Sequence, residues 1–473
     1  MPIFDPDQLQ DWTHGEWKSF PSEEISGFSI DSRGIQKGEL FVALKAERDG
    51  HDFLSAAVKN DASAGIVEDL KLDVPLPQLL VKDSIRAFHD IAYNHRLKFE
   101  GPVVGVTGSC GKTSTKDILE ILLGENEAIC TKGNLNNYLG VPLTLLRSDN
   151  EIHNFAVVEA GINQLGEMSM LAKTISPTMV LITIIAPSHL EGLENIEKIA
   201  SEKANLFLDS DKTQTVFFPE DCLKYEKFLD QYENGDNVVV LREGKPSTRP
   251  STREAFYSIW TETNKDGGSS QLRLWQHESP SFSFPIPRLS KGMGRNAALA
   301  VLAALKLGVS VQEISERLPR FRPSALRGRC FQGRGRSYLV DCYNANPASM
   351  KDSIEFFYSQ YSGKPKLYVL AGMEELGKDS RELHNEVGSH IELEEGDFVI
   401  LIGEKASWIA PAILAQKNNE SRLIVLPEME DAIPIVEDFD GVVLFKGSRK
   451  NKLEKLLPTW AVEDVNVRND EKC

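Results

Sequence analysis

Closely spaced cysteine pairs, a signal sequence and long apolar runs are all missing from the chain. Its six cysteines lie far apart and form no CxxC motif, which disfavours a disulfide framework and a structural zinc site and fits a reducing compartment. The opening MPIFDPDQLQ has neither the basic start nor the apolar stretch of a secretory signal, and Met179–Pro187, among the longest apolar runs, is too short to span a bilayer. We therefore expect a cytoplasmic location and no membrane insertion.

Positive charge is also scarce. The 53 lysines and arginines are outnumbered by 70 aspartates and glutamates, which gives a formal net charge of -17. Such a surface repels a polyphosphate backbone unless its basic groups cluster strongly, so nucleic acid is not an expected partner. Hydrophobic residues at 41% and charged residues at 26% are ordinary for a globular protein. We expect the chain to act as a monomer.

The length of 473 residues is about three times that of a typical domain, and three domains are expected. Residues 1–100 are predicted to form a small mixed α/β domain. Residues 101–318 are predicted to form a central parallel sheet of the phosphate-loop type with an accessory β region, and residues 319–473 a Rossmann-like α/β domain. The last prediction rests on strand-like runs that alternate with helical stretches. These runs are 338–342, 367–371, 398–402, 423–426 and 442–445.

Local patterns add detail to the first two segments. A strand is predicted at 40–44, followed by a helix at 53–59 that Asp52 would cap. Alternating runs on either side of Asp266-Gly267-Gly268 predict a β hairpin within the accessory region. Alanines and leucines between Asn296 and Leu307 favour a buried helix.

A glycine-rich stretch, GVTGSCGKT at 105–113, follows an apolar strand and opens an apolar-periodic helix. Glycines let successive N–H groups point at one anion, and the helix N-terminus adds positive potential there. Lys112 would neutralise the β and γ phosphates of ATP, and the Thr113 hydroxyl would hold Mg²⁺. Val106 stands where the strict GxxxxGKS/T pattern has its first glycine. An accidental glycine-rich turn is the alternative. The predicted nucleotide-binding residues of the loop are Thr107, Gly108, Ser109, Cys110, Gly111, Lys112 and Thr113.

Two further candidates stand just beyond the ends of apolar strands. Glu159 ends the strand at 155–158, and His189 follows the strand at 179–184. Doubly wound sheets bind ligands at the carboxyl ends of their strands, and both side chains can hold a metal ion. A solvated glutamate and a structural histidine are the alternatives. Lys203 would by composition be an exposed lysine, because an ammonium group cannot coordinate a cation.

The TGSCGKT loop after an apolar strand resembles the Mur ligases and the related folylpolyglutamate synthetase, which join a carboxylate to an amine by way of an acyl phosphate. The family has a Glu, His and Lys series at the relative places of Glu159, His189 and Lys203, and its lysine is commonly carbamylated. The resemblance implies two Mg²⁺ ions, one held by Thr113 and Glu159, the other by His189 and carbamylated Lys203. Where the family usually has asparagine, this chain has Cys110.

The run KGNLNNYLGVP at 132–142 fits a family motif that reaches the γ-phosphate and the reacting carboxylate, and it contains Asn134, Asn136 and Asn137. A polar loop is the alternative. The resemblance implies that Asn296 contacts adenine, Arg329 the terminal phosphates and Asp341 the ribose. It also implies that Tyr343 and Asn344 contact the nucleotide. Ahead of Asn296, the family usually has a His-Asn pair where Gly292 and Met293 stand here. The catalytic set implied is Lys112, Asn137, His189, Lys203 and Arg329.

The DCYNANP stretch that begins at Asp341 resembles the branch of the family that adds D-alanyl-D-alanine to a UDP-linked muramoyl tripeptide in peptidoglycan synthesis. By the same resemblance, Lys446 and Arg449 would hold the carboxylate of the dipeptide. Ser32 and Arg33 would contact the uridine or its pyrophosphate. The implied partners are therefore UDP-N-acetylmuramoyl-tripeptide and D-alanyl-D-alanine.

Three other functions compete with this one. The branch that adds the third peptide residue carries a DNPR motif that is absent here. Folylpolyglutamate synthetase should lack a UDP-binding first domain, against which Asp31-Ser32-Arg33 argues. A nucleotide-dependent switch that hydrolyses ATP slowly would not need the second pair of metal ligands.

Overall fold

The computed structural model describes residues 2–45, 48–124, 126–210, 213, 215–235, 237–244, 256–263, 269–276, 279–333, 335–416, 419–458 and 461. Three β-sheets follow one another along this described part of the chain, with five, nine and six strands. Helices accompany each sheet, which confirms the predicted α/β class with three domains. The domain borders at residues 100 and 318 remain predictions.

The N-terminal sheet is small and mostly parallel. Its domain contains, in chain order, α1 (Pro6–Thr13), β1 (Glu16–Trp17), β2 (Gly27–Ser29), β3 (Glu39–Val42), α2 (Leu54–Lys59), β4 (Ala64–Val67), β5 (Gln78–Leu80) and α3 (Ser84–Lys98). The strand order is β1-β5-β4-β3-β2, and β1 alone is antiparallel to its neighbour among these described strands. The cap predicted at Asp52 is wrong. A 3₁₀ turn precedes α2, and the Asp49 side chain caps that turn by accepting from the His51 N–H.

The central sheet carries the phosphate loop. Its strands are β6 (Val103–Thr107), β7 (Ala128–Cys130), β8 (Phe155–Glu159), β9 (Met179–Ile182), β10 (Thr215–Pro219), β11 (Val238–Glu243), β12 (Phe256–Thr263), β13 (Ser269–Gln276) and β14 (Ser279–Pro287). Its helices are α4 (Lys112–Leu123), α5 (Gly140–Leu145), α6 (Glu167–Ile175), α7 (Leu190–Leu193), α8 (Ile196–Leu208), α9 (Glu226–Asn234), α10 (Lys291–Lys306) and α11 (Val311–Arg317).

Strand β6 lies between β8 and β9, parallel to both, in the order β14-β13-β12-β11-β10-β9-β6-β8-β7. The chain runs from β6 to β7 on one side of β6 and later from β8 to β9 on its other side, so the strand order reverses at the carboxyl end of β6. Open α/β sheets bind ligands at such a point. The three strands β12 to β14 are joined antiparallel and form the accessory β region. The predicted hairpin is confirmed in its two strands, and its turn at 264–268 lies outside the described residues.

The C-terminal sheet has the order β15-β16-β20-β17-β18-β19. Its domain contains β15 (Arg329–Gly333), β16 (Arg336–Asp341), α12 (Pro347–Gln360), β17 (Lys366–Ala371), α13 (Ser380–Gly388), β18 (Phe398–Ile402), α14 (Glu404–Ser407), α15 (Ala410–Leu414), β19 (Leu423–Leu426), α16 (Ile433–Asp438) and β20 (Val442–Lys446). The strand predicted at 338–342 is not the first strand of this segment. Strand β15 precedes it as an antiparallel edge strand, and Phe331 is the one fully buried side chain among its described residues, so no apolar run announced it.

Among the described residues, none of the helices combines the length and the apolar character that crossing a membrane would need.

Candidate functional site

The phosphate loop has the tight turn that its glycines allow. Gly108 and Gly111 have positive φ angles of 149° and 83°. A Cβ atom at Gly108 would lie 1.9 Å from the Thr183 hydroxyl oxygen, and one at Gly111 would lie 2.5 Å from the Asn296 amide nitrogen. Both positions therefore exclude any other residue, because the backbone conformation and the space each require glycine.

Hydrogen bonds to the ends of the neighbouring strands fix this loop from below. The Thr107 hydroxyl donates to the Ala160 carbonyl at 2.7 Å, and the Ser109 hydroxyl donates to the Ala186 carbonyl at 2.7 Å. The Ser109 N–H donates to the Ile184 carbonyl at 2.8 Å. These hydrogen bonds hold the loop in one conformation, which is the preorganisation that anion binding needs.

Lys112 opens helix α4 and points back over its own loop. Its ammonium group donates to the Gly108 carbonyl at 3.0 Å. Burial lowers the pKa of Lys112, while the carboxylate of Glu159 acts in the opposite direction. A cation held in a low-dielectric site next to free loop N–H groups attracts phosphate more strongly than one in water.

Glu159, at the end of β8, is 1% exposed and makes two side-chain hydrogen bonds. One carboxylate oxygen accepts from the Thr113 hydroxyl at 2.9 Å, and the other accepts from the Asn136 amide at 2.7 Å. The two residues predicted to share one Mg²⁺ therefore lie together, with a carboxylate and a hydroxyl as hard oxygen donors. Within the described ranges, no three His, Cys, Asp or Glu side chains converge as a metal site. Mg²⁺ is commonly held by one or two protein ligands and keeps water or phosphate oxygens in its remaining positions.

Lys203 lies on the buried face of α8 and is 1% exposed, so the expectation of an exposed lysine from composition is wrong. Burial lowers the pKa of Lys203 well below its ordinary value, and the nearby positive charge of Lys112 lowers that pKa further. No salt bridge joins Lys203 to an acidic side chain in the described part of the chain. Both effects favour the neutral amine over the ammonium form.

His189 bridges two domains. Its backbone has a φ of 51°, in the left-handed region. Its Nδ1 atom is hydrogen-bonded to a carboxylate oxygen of Glu375, which belongs to the C-terminal domain. Burial lowers the pKa of His189, and the Glu375 carboxylate opposes that shift. A partner on Nδ1 leaves Nε2 as the nitrogen that could bind a metal ion. The contact of Glu375 with His189 was not predicted from the sequence.

A cleft of about 1230 Å³ opens between the central and C-terminal domains, and most of the predicted site residues line it. Those from the central domain are Ser109, Cys110, Gly111, Lys112, Thr113, Asn134, Asn136, Asn137, Glu159, His189 and Asn296. Those from the C-terminal domain are Arg329, Asp341, Tyr343, Asn344 and Lys446. The structure thus places two sets of residues that are far apart in sequence on opposite walls of one space.

The C-terminal wall is built around Lys446, at the end of β20. Its ammonium group is 2.9 Å from a carboxylate oxygen of Asp341 and donates to the Asn344 carbonyl at 2.8 Å. The guanidinium of Arg327 stacks 3.8 Å over the ring of Tyr343. Arg327 also lines the cleft, and sequence reasoning missed it because Arg329, two positions later, carried the family resemblance.

The three remaining substrate predictions fall outside the cleft. Ser32 is buried, and its carbonyl accepts from the Asn60 amide at 2.7 Å. Arg33 pairs with Asp31 at 2.7 Å, and this hydrogen bonding lowers the pKa of Asp31 to about 2. Arg449 pairs with Glu454. The roles of Ser32, Arg33 and Arg449 stay predictions.

Comparison with known families accounts for this arrangement. Residues 106–304 match the family model described as the Mur ligase middle domain, and residues 327–449 match the model described as the Mur ligase, glutamate ligase domain. A relative from Haemophilus influenzae is 30% identical over 453 residues, which cover 92% of this chain and 93% of the relative. The chain belongs to the Mur ligase family and is an ATP-dependent peptide ligase. The predicted family is confirmed.

The relatives point to one branch. The Haemophilus protein is named UDP-N-acetylmuramoyl-tripeptide--D-alanyl-D-alanine ligase. A crystal structure of MurF from Acinetobacter baumannii is 27% identical and covers 98% of this chain and 99% of its own, with a TM-score of 0.83. The structure of MurF from Thermotoga maritima in complex with ADP is 25% identical and covers 95% of this chain and 99% of its own, with a TM-score of 0.76.

Proposed function

We propose that this ligase joins the amine of D-alanyl-D-alanine to the terminal carboxylate of UDP-N-acetylmuramoyl-tripeptide, with ATP converted to ADP and phosphate. The product is the UDP-linked muramoyl pentapeptide of peptidoglycan synthesis. The observation that carries the proposal is the single cleft in which the phosphate loop, the Glu159–Thr113 pair and the DCYNANP stretch face one another. Relatives with this function along nearly the whole chain support it.

The chemistry follows from the charges on the central wall. The loop N–H groups and Lys112 would hold the terminal phosphates of ATP, and Mg²⁺ at Thr113 and Glu159 would offset their negative charge. A carboxylate oxygen of the tripeptide attacks the γ-phosphorus, and ADP leaves, which gives an acyl phosphate. The amine nitrogen of the dipeptide then attacks the acyl carbon, and phosphate leaves while the amine gives up its proton. Asn134, Asn136 and Asn137 add amide groups without adding charge beside the reacting anions.

The second metal site is proposed to need a carbamate on Lys203. The neutral amine that burial favours is the form that reacts with CO₂, and the resulting anion would offer two oxygens to a hard cation beside His189. The positive charge of Lys112 disfavours an ammonium group at Lys203. An anionic carbamate in the same place would instead be attracted to Lys112.

Replacement of Lys203 with alanine tests the carbamate. Turnover should nearly vanish and return in part when small carboxylic acids are added, because these can supply the missing oxygens. Wild-type protein equilibrated with ¹³C-bicarbonate should show a carbamate carbon resonance that Lys203→Ala lacks. Wild-type turnover in the variant, or no such resonance in the wild-type protein, would remove the carbamate from the mechanism.

The choice of amine substrate distinguishes the proposed ligase from the alternative functions. Phosphate release is measured with Mg-ATP and UDP-muramoyl tripeptide, with and without D-alanyl-D-alanine. The proposal expects phosphate only with the dipeptide present, in equal amount to the pentapeptide formed. Release that ignores the dipeptide would favour a switch protein, and release with a free amino acid and the UDP-muramoyl dipeptide would favour the branch that adds the third residue.

Lys112→Ala tests the role of the phosphate-loop lysine in the same assay. Loss of the lysine should lower turnover by about a thousandfold, the scale of removing one charged donor from a transferring group. Lys173→Ala, an exposed lysine on α6, serves as its control and should leave turnover unchanged.

A further inference from the structure

The first turn of helix α10 is capped from another domain. Ser290 is the N-cap residue of α10, in the central domain, and its hydroxyl donates to a carboxylate oxygen of Asp352 at 2.6 Å. The N–H of Gly292 donates to the other oxygen of Asp352 at 2.8 Å. Asp352 lies on α12 of the C-terminal domain. A carboxylate at a helix N-terminus satisfies free N–H groups and interacts favourably with the helix dipole.

Gly292 makes room for this carboxylate. A Cβ atom at Gly292 would lie 2.7 Å from an oxygen of Asp352, closer than real contacts allow. The φ angle of Gly292 is not among the positive ones, so its backbone alone does not require glycine. The glycine is explained by the carboxylate that occupies the space of its side chain. This is also the position where the family resemblance leads one to expect a histidine.

The capped helix connects directly to the nucleotide site. Asn296, in the second turn of α10, packs against Gly111 of the phosphate loop. Helix α10 also packs along α4, which begins at Lys112. Asn296 and Asp352 both line the cleft. A shift of the first turn of α10 would therefore move the side chain that contacts the loop.

We propose that Asp352 is a positioning residue for the nucleotide: it docks the C-terminal domain on α10 through the space left by Gly292, and so brings both walls of the cleft to the distance at which ATP is bound. The inference rests on the proposed function only in taking ATP as the nucleotide. The proposal depends on the Asp352 carboxylate in one domain and on the absence of a Cβ atom at Gly292 in the other. Each of the two should affect nucleotide binding only when the other is present.

A double-mutant cycle tests this dependence. Binding of a non-hydrolysable ATP analogue with Mg²⁺ is measured by calorimetry for the wild-type protein, Asp352→Ala, Gly292→Ala and the double variant. We expect each single variant to bind about tenfold more weakly, the scale of one charge-assisted hydrogen bond. The double variant should bind no more weakly than Asp352→Ala alone, because the added Cβ atom no longer meets a carboxylate.

Asp83→Ala is the matched control, since Asp83 caps α3 within its own domain by accepting from the Arg86 N–H at 2.9 Å. It should bind the analogue as the wild-type protein does. Thermal unfolding confirms that each variant is folded, and Asp352→Ser, whose shorter side chain also leaves the space beside Gly292 free, replaces Asp352→Ala if that variant does not fold. Equal losses from Gly292→Ala with and without Asp352, or unchanged binding in Asp352→Ala, would overturn the proposal. The binding experiment uses no muramoyl substrate, so its result can be interpreted even if the ligase assay fails.

Discussion

The central domain meets its two neighbours in different ways. Buried side chains of the N-terminal domain, such as Phe4 and Leu9, belong to the same hydrophobic cluster as Leu171 and Ile175 of the central domain. The buried side chains of the C-terminal domain form two clusters of their own, and the partly buried Leu190 of the central domain packs against one of them. Among the described residues, many of the other contacts between the central and C-terminal domains are polar.

Polar contacts of this kind can be broken and remade at little cost in buried apolar area. They include the contacts of Asp352 with α10, of Glu375 with His189, and of the Asn346 amide with the Ser109 carbonyl at 3.4 Å. The N-terminal domain is therefore fixed on the central sheet, whereas the C-terminal domain is suited to open and close over the cleft. Changes at the first interface should then alter stability, and changes at the second should alter the reaction.

The largest effect is expected at the N-terminal interface, from Arg96→Ala. The buried guanidinium of Arg96 donates to the Ile175, Ser176 and Phe99 carbonyls, at 3.0, 2.9 and 3.2 Å. It thereby satisfies the C-terminal end of helix α6. Its loss should lower the free energy of unfolding by about 4 kcal/mol, because several buried carbonyls lose a charged donor. Urea unfolding followed by circular dichroism measures the change.

The folded fraction of Arg96→Ala should still bind Mg-ATP with wild-type affinity. Lys98→Ala, at the exposed end of the same helix, provides the control for removing a cation from α3. A stability loss no larger in Arg96→Ala than in Lys98→Ala would break the comparison on its N-terminal side.

The next largest effect is a pH dependence at the same interface. His89 is 5% exposed, its Nδ1 atom is 2.6 Å from the Thr174 hydroxyl oxygen, and burial lowers the pKa of His89 from 6.5 to about 4. Between pH 6.5 and about 4, His89 is therefore protonated in the unfolded chain but neutral in the folded chain. Stability from this residue is intact above pH 6.5, falls as pH drops towards 4, and the full loss is on the order of 3 kcal/mol.

His89→Gln removes the titrating group from this interface. The difference in unfolding free energy between wild-type and variant proteins should change between pH 7.5 and 4.5, in favour of the variant at low pH. A difference that stays constant across this range would show that His89 does not titrate as its burial requires.

The sequence was informative where the determinants are local. Strand β6, the glycines at 108 and 111 and Lys112 are consecutive in the chain, and their spacing alone predicts a phosphate loop. The strand that ends at Glu159 and the strand that contains Asp341 were predicted in the same way, because apolar runs mark buried parallel strands. Residue patterns within one segment therefore carry most of the fold and one wall of the cleft.

Contacts between domains carry no such local signal. Asp352 is one of several polar residues on α12, and only its distance to Gly292 distinguishes it. The pairing of Glu375 with His189 joins residues far apart in the chain. The burial of Lys203 also depends on tertiary packing, which is why composition placed it at the surface.

Glu375→Gln tests the C-terminal interface. The substitution keeps the shape of the side chain but removes the charge that orients His189, so turnover should fall by about tenfold, as for partners of metal-binding histidines. The free energy of unfolding should hardly change, because 52% of the Glu375 side chain is exposed. Steady-state phosphate release and thermal unfolding are measured together, with Glu382→Gln on α13 as the control. A large loss of stability with unchanged turnover would place this interface in the same class as the N-terminal one.

The smallest effect is expected from Lys291→Ala, at the same end of α10 that Asp352 caps. Lys291 is 3.7 Å from Glu355 of α12, and its side chain is 78% exposed. An exposed ion pair contributes about 0.5 kcal/mol or less, so the Michaelis constant for ATP should change by less than about twofold. An effect as large as that of Asp352→Ala would mean that summed charge holds the two domains together. A small effect leaves the buried cap as the contact that matters, because the two pairs join the same helices and differ mainly in their access to water.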